Sequence, residues 1–432
     1  MISKIAKSLN PRRFICRFKR HPCWFKFSGI VTVIVVLLWY RKYAAFKVSK
    51  TMTKMKCRAE ALESHSTIMG NPHPSTDNWI VVTTIYAPSP QLEALSHLKN
   101  WQLLIIEDEK TPVAHWKSHK ILQGSIYLDL GSQKQLPYCI VPMIPINSYT
   151  RKNIGYLYAI KHGAKYIYDT DDDNMPEPQD NNAMYSLSTH SGFLVKPAGT
   201  LSIVNPYPYF GKDNIWPRGF PLELISGQQT KKDLLKHFKL EEYKFDDSVV
   251  IHHGLVNADP DVDAIYRLTK PDHKNVDLQQ NLPIVLDNTI YGLFNSQNTV
   301  FERSSFWALI LPVGVTMRVT DIWRSYWSQT LMKLTDQKLA ILFTSVNQTR
   351  NKHSYLDDFI QENDLYVKSG KLLEYLSTWK CHGTEFTDCV IELSHDLVKS
   401  HFWTYKDAYL VEAWISDLKS IGYVFPVIDG LV

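Results

Sequence analysis

The chain has 432 residues and a formal charge of +5, from 48 Lys and Arg against 43 Asp and Glu. The charge is uneven: residues 1–58 hold 15 basic residues and no acid, whereas residues 59–432 hold 33 basic and 43 acidic residues, a net of −10. That pattern excludes a uniformly basic nucleic-acid binder, and 44% hydrophobic residues exclude a disordered body.

The basic arm contains an uncharged run, Phe27 to Tyr40, FSGIVTVIVVLLWY. As a helix its 14 residues rise about 21 Å, short of a ~30 Å hydrocarbon core. Adding Trp24 and Phe25, with Lys26 snorkelling, gives 17 residues, the lower limit for a span. Trp24, Trp39 and Tyr40 mark both ends, as interfacial aromatics do. A cleaved signal peptide also has a short apolar core, but Tyr40-Arg41-Lys42 is a poor cleavage site, and Ala44-Ala45 is the alternative. The run is read as a single-pass signal anchor over 27–42, with 1–26 a cytosolic tail and the body lumenal. Eight basic residues before the run and seven after it leave the positive-inside rule nearly balanced. A short span suits the thinner membranes of the endoplasmic reticulum or Golgi.

Residues 43–77 read as a polar stem. Trp79 to Ile85 and Trp101 to Ile106 are apolar, β-branched runs, hence buried strands, with a short helix expected over 91–99. Ile126 to Leu130 is a third strand. Thr150 to His162 has helical spacing with Gly163 as its stop. Lys165 to Tyr168 is a fourth strand that runs straight into Asp169. Alternating strands and helices predict an α/β fold with a three-layer, mostly parallel sheet. Ligands of such sheets bind beyond the carboxyl ends of the strands, where Asp108 and the Asp169 cluster fall.

Residues 200–330 read as loops and irregular strands, since Pro206, Pro208, Pro217 and Pro221 forbid a long helix there. Helical patterns follow over 355–366, 371–379 and 407–421. The last puts Leu410, Trp414, Leu418 and Ile421 on one face, read as packing on the body. The expected division is a domain over 78–335 and a helical C-terminal region over 336–432. Cys381 and Cys389, eight apart, can pair in an oxidising compartment. No Cys/His set has zinc spacing. Asn347-Gln348-Thr349 is a glycosylation sequon.

The most specific segment is YIYDTDDDN, Tyr166 to Asn174. Carboxylates so crowded repel, and a divalent cation relieves that repulsion. Alternate residues of an extended segment face one way, so Asp171 and Asp173 are expected to share one Mn²⁺ or Mg²⁺, which in turn holds a substrate diphosphate. A solvated acidic turn is the bland alternative, although an apolar strand feeds directly into it. A haloacid-dehalogenase-type phosphatase also uses Asp-x-Asp, but that motif opens its domain, and Asp173 stands where it wants Thr or Val. Upstream, Arg151 and Lys152 at a helix N-terminus read as an anion site, and Asn153 as a partner for ribose or phosphate.

An Asp-x-Asp at the end of a nucleotide-binding α/β half is similar to the GT-A glycosyltransferases. More closely, the chain resembles the STELLO-like glycosyltransferases of plants and their nematode relatives. The resemblance is carried by VVTTI (81–85), EDEKTP (107–112), SYTRKNIGYLYAIKHGA (148–164), TDDDN (170–174), NPYPYFG (205–211), WPRGFPLE (216–223), GLVNADPDVDAIYRLT (254–269), NSQNT (295–299) and VTDIWRSYW (319–327). TDDDN also looks like the acidic motif of plant UDP-arabinopyranose mutases. Asp169 stands where the plant members are expected to carry Glu, which points away from it as the main ligand.

The resemblance implies a type II Golgi membrane protein that moves a sugar from a UDP- or GDP-sugar to an acceptor hydroxyl of a glycan or glycoconjugate. Self-association or complexes with other Golgi enzymes are the implied protein partners, and a catalytically weak assembly factor is the alternative. On that footing Thr83 and Thr84 would border the base, and Asp108 would accept a base N–H. Lys110 would reach phosphate, Arg151 and Asn153 would hold the nucleotide, and Asp171, Asp172 and Asp173 would face the donor. An inverting transfer needs a carboxylate at the acceptor hydroxyl. Asp259, Asp261, Asp263 and Asp321 are the candidates. Asp321 is preferred, among Trp323, Tyr326 and Trp327 as a sugar-stacking wall, unless it pairs with Arg318 or Arg324; Asp261 is second. His252 and His253 are weaker metal candidates, and Arg218 and Arg267 either bind phosphate or stabilise loops.

Overall fold

The computed structural model describes residues 76–177, 191–270, 275–350 and 354–429. The expected tail, anchor and most of the stem lie outside these residues. Among the described residues no helix is long and apolar enough to cross a membrane.

Eleven strands form one mixed sheet. In chain order they are β1 (Asn78–Thr84), β2 (Trp101–Glu107), β3 (Ser125–Leu128), β4 (Tyr166–Thr170), β5 (Asn174–Pro176), β6 (Ser191–Pro197), β7 (Phe238–Lys244), β8 (Val249–Ala258), β9 (Ile284–Leu286), β10 (Asn298–Glu302) and β11 (Lys338–Gln348). The spatial order is β3-β2-β1-β4-β10-β8-β11-β9-β6-β7, with β5 paired to β11. The first four are parallel neighbours. β10 then enters antiparallel between β4 and β8. β1 and β2 are nearly all buried, with apolar centres, because both faces of the sheet are covered.

One face carries α1 (Pro90–Ser96), capped by Ser89, with Leu92, Leu95 and Trp116 in its core. The other carries α2 (Lys152–Lys161), entered through a 3₁₀ turn and ended at Gly163 with φ of 91°. α2 is buried from Lys152 to Ile160 and lies so close to the sheet that a Cβ on Gly155 would meet Val81 and Ile106 at 2.8 Å. The three-layer expectation holds for this half, and the sheet as a whole mixes parallel and antiparallel ladders.

Two parts differ from the sequence reading. The irregular 200–330 stretch ends in a 16-residue helix, α3 (Met317–Met332), and contains the ten-residue β8. The supposed helical region opens with β11, an eleven-residue strand inside the sheet, so its helices begin only at Tyr355. They are α4 (Tyr355–Gln361), α5 (Asn363–Thr378), α6 (Phe386–Lys399) and α7 (Tyr405–Ser420). The predicted face of α7 does pack inward. Leu410, Trp414 and Leu418 are fully buried, Trp414 Nε1 donates to the Trp307 carbonyl at 3.0 Å, and Asp417 accepts from the Cys139 and Ile140 amides. Cys381 and Cys389 form a disulfide, with Cα atoms 5.3 Å apart.

Candidate active site

A cavity of about 340 Å³ opens beyond the carboxyl ends of β1, β2 and β4. Parallel pairing brings these ends level: Val81 is opposite Asp169, and Thr84 is opposite Glu107. Thr83, Thr84, Ile85 and Tyr86 line it from β1, Asp108 and Lys110 from the end of β2, and Asp171 to Asp173 from the end of β4. Asn147, Ser148 and Tyr149 close one side, Met317 another, and Gln348 and Arg350 the end of β11. Seven of the predicted donor residues therefore meet in one place.

The acidic cluster divides by direction. Asp169 points into the protein, wholly buried between Lys152 Nζ at 2.9 Å and Arg324 Nη1 at 3.1 Å. Asp171 to Asp173 turn after β4 rather than continuing extended, and all three reach the cavity. Lys152 also donates to Asp171 Oδ1 at 2.9 Å and to the Thr170 and Ser296 carbonyls at 2.7 and 3.1 Å. Burial alone would lower the Lys152 pKa, but Asp169 and Asp171 hold it above the ordinary value. Asp172 accepts from the Thr84 hydroxyl. Asp173 accepts from Gln348 Nε2 at 3.1 Å. Burial raises the Asp171 and Asp172 carboxyls to about 6 and about 7, and repulsion from Asp173 adds to both shifts. Carboxylates raised by burial and by one another gain stability from an added cation.

Among the described residues no three His, Cys, Asp or Glu side chains are grouped to hold a metal. Asp171, Asp172 and Asp173 all face the cavity, and carboxylate oxygens are the ligand type that a hard divalent ion takes. The turn at 172–173 replaces the extended segment from which Asp171 and Asp173 were expected to converge.

Other predicted roles meet committed side chains. Asp108 accepts from the Asn147 and Ser148 amides, both at 2.8 Å, and from the Glu109 amide at 2.7 Å. It staples the Asn147–Tyr149 loop to the sheet, which occupies the acceptor positions expected for a base. Arg151 is buried on Gln133 Oε1, and Asn153 exchanges two bonds with Leu311, at 2.8 and 2.9 Å. Neither lines the cavity.

Asp321 and Asp261 are also outside it. Arg218 binds Asp261 through two bonds of 2.8 Å and Asp321 at 3.2 Å. Burial alone would raise the Asp261 carboxyl, but the Arg218 guanidinium holds it well below the usual range. Asp321 also takes the Ser296 amide at 3.1 Å. Its partner is thus Arg218, whereas Arg318 pairs with Glu362 and Arg324 with Asp169. Trp323, Tyr326 and Trp327 are buried core, not a sugar wall, and Trp327 packs on Trp307 and Trp403. Asp259 pairs with Arg267, and Asp263 caps the helix at Ala264. His252 and His253 are buried on β8, bonded to Glu302 and Thr299. Asn347 is exposed at the end of β11.

The sequence reading did not identify Gln348, Arg350, Asn147, Ser148, Tyr149 or Met317 as cavity residues. No local motif marks them. They reach the cavity through β11, the loop before α2 and the start of α3, elements that lie far apart in the chain.

A family model described as STELLO glycosyltransferases matches residues 318–430. The chain is similar to "Probable glycosyltransferase STELLO1" of Arabidopsis thaliana, 32% identical over 369 residues, which cover 82% of this chain and 46% of that protein. "Probable glycosyltransferase STELLO2" of the same plant is 32% identical over 368 residues, with the same shares. The chain spans about half the length of the curated relatives it matches.

Proposed function

The chain belongs to the STELLO-like glycosyltransferases, and from that premise we propose that it transfers a sugar from a nucleotide sugar, foremost a UDP-sugar, to an acceptor hydroxyl. The observation that carries this reading is the cavity at the carboxyl ends of three parallel strands, with Asp171 and Asp173 both on its wall. The nucleoside lies along Thr83, Ile85 and Tyr86, and the diphosphate lies toward Asp171 to Asp173, with Lys110 at the rim. Asp171 and Asp173 would hold a Mn²⁺ or Mg²⁺, and when bound such an ion would neutralise charge on the leaving diphosphate. Lys152 and Gln348 fix the orientation of those two carboxylates, and Thr84 fixes Asp172. An open cavity on which several charged side chains converge supports an enzyme over a catalytically weak assembly factor, because a scaffold does not need one. The anchor at 27–42 and the oxidised Cys381–Cys389 pair support a type II placement in the Golgi with the body lumenal.

One preparation tests both parts. Sealed Golgi vesicles carrying the full chain are treated with external protease, then opened with detergent and offered a panel of UDP- and GDP-sugars. The chain is expected to survive the protease and to release free nucleotide diphosphate from at least one donor. Cleavage of the body before detergent overturns the lumenal placement. Survival without turnover of any donor overturns the transferase.

A further inference from the structure

Two residues beyond the end of β11, Arg350 enters the cavity wall. Its side chain is only 13% exposed. A guanidinium brings five N–H donors and a permanent charge, so its partners can be accounted for. Nη2 donates to Gln348 Oε1 at 3.2 Å. The carboxylate it faces, Asp259, stands 3.8 Å from Nε, beyond hydrogen-bond distance, and is already bonded to Arg267. Arg350 Nε is buried and makes no hydrogen bond.

Three other buried arginines differ, whereas Arg151 is buried on the Gln133 side chain. Arg218, Arg267 and Arg324 each touch a carboxylate directly. Around Arg350 burial first, then the like charges of Arg267 and Arg318, draw its pKa down to about 10, with Asp261 and Asp259 opposing. A buried cation without a directly bonded counter-ion is costly, and an anion entering from the cavity removes that cost. The cavity that Arg350 lines is the one that carries Asp171 to Asp173. Gln348 joins the two groups: its amide N–H₂ is on Asp173, and its carbonyl accepts from Arg350 and from Gln297.

We propose that Arg350 is the side chain that anchors the donor's diphosphate, binding phosphate oxygens through its planar fork while Asp171 and Asp173 serve the metal-facing side. This rests on the donor reading above and assigns the recognition of the second phosphate to a residue just beyond β11. The fork geometry favours a nucleoside diphosphate over a monophosphate and contributes nothing to the nucleoside.

The test is titration of the full chain in detergent with UDP, UMP and uridine, comparing wild type with Arg350→Gln and Arg350→Lys (GDP and its series replace these if the donor screen selects guanine). Arg350→Gln is expected to weaken UDP roughly 10- to 100-fold, UMP less, and uridine not at all; Arg350→Lys recovers part of the loss. In the wild type, phenylglyoxal labelling of Arg350, mapped by mass spectrometry, is expected to be blocked by UDP and not by uridine. This readout serves even where a variant does not fold. Unchanged UDP affinity in Arg350→Gln, an equal loss for uridine, or labelling that UDP does not block overturns the proposal and leaves the donor reading standing. Absence of UDP and GDP binding by the wild type overturns both.

Discussion

Lys152 shows how one buried side chain reassigns an acidic cluster. Four carboxylates lie in or just after β4, yet Asp169 is spent inside the protein on Lys152 and Arg324, and Lys152 continues to one oxygen of Asp171. The sequence suggested that Arg151 and Lys152 formed an anion site at a helix start, with Asn153 a partner for ribose or phosphate. The helix is instead buried on all sides, and its polar residues face carboxylates, Gln133 and the Leu311 backbone. Local spacing cannot reveal this, because the partners come from elsewhere in the chain. The same limit applies to Asp321, whose partner Arg218 lies 103 residues away. His253 gives a prediction at this scale. Burial lowers its imidazole from 6.5 to about 4, with Arg324 adding to the effect and Asp261 opposing it. The unfolded chain therefore takes up this proton first as pH falls. His253 contributes stability that is fully present above pH 6.5 and is lost as pH falls toward 4, roughly 3 kcal/mol in all. Unfolding of the full chain in detergent, followed across that window, should show this slope in the wild type and a shallower one in His253→Gln. An equal slope in both contradicts the assignment.

At the scale of elements, legibility followed the evenness of the apolar pattern. β1, β2 and β4 are built around the short apolar runs WIVV, LLII and YIY, and both they and α2 were readable with their ends. β8 was not, because VVIHHGLVNA carries two buried histidines that bond across strands instead of facing water. α3 was not, because Asp321, Arg324, Ser325 and Ser328 are buried along with its aromatics and blur any amphipathic stripe. β11 was absorbed into the helical region that follows it. These omissions cost the site its Gln348 and Arg350 wall. Gly155 tests the part that was read well. It lets α2 approach β1 and β2, and that approach sets Lys152 against Asp169 and Asp171. Gly155→Ala is expected to destabilise by about 1–3 kcal/mol from overpacking against Val81 and Ile106. It should also reduce nucleotide affinity in the fraction that remains folded. A neutral effect on both would mean that the helix position does not matter to the site.

At the scale of the whole molecule, the net charge of +5 averages a basic arm of 58 residues and a body of −10. The body would repel a dianionic donor unless the charge is reversed locally. Lys152 is consumed internally, so Lys110, Arg350 and a divalent ion are what remain to do this at the cavity. The C-terminal helices close the fold around that arrangement, with Asp417 of α7 bonded to the amides of Cys139 and Ile140 and Asp407 bonded to the amides of Val313 and Gly314. The central claim is that the acidic turn after β4 is a metal-dependent diphosphate site, and calorimetric titration of UDP into the full chain in detergent tests it most directly. With Mn²⁺ present the wild type should bind UDP, and chelation of the metal should abolish the binding heat. Asp171→Asn/Asp173→Asn should bind no better with Mn²⁺ than without it. Binding that is indifferent to the metal, or unchanged in the double variant, would contradict the account.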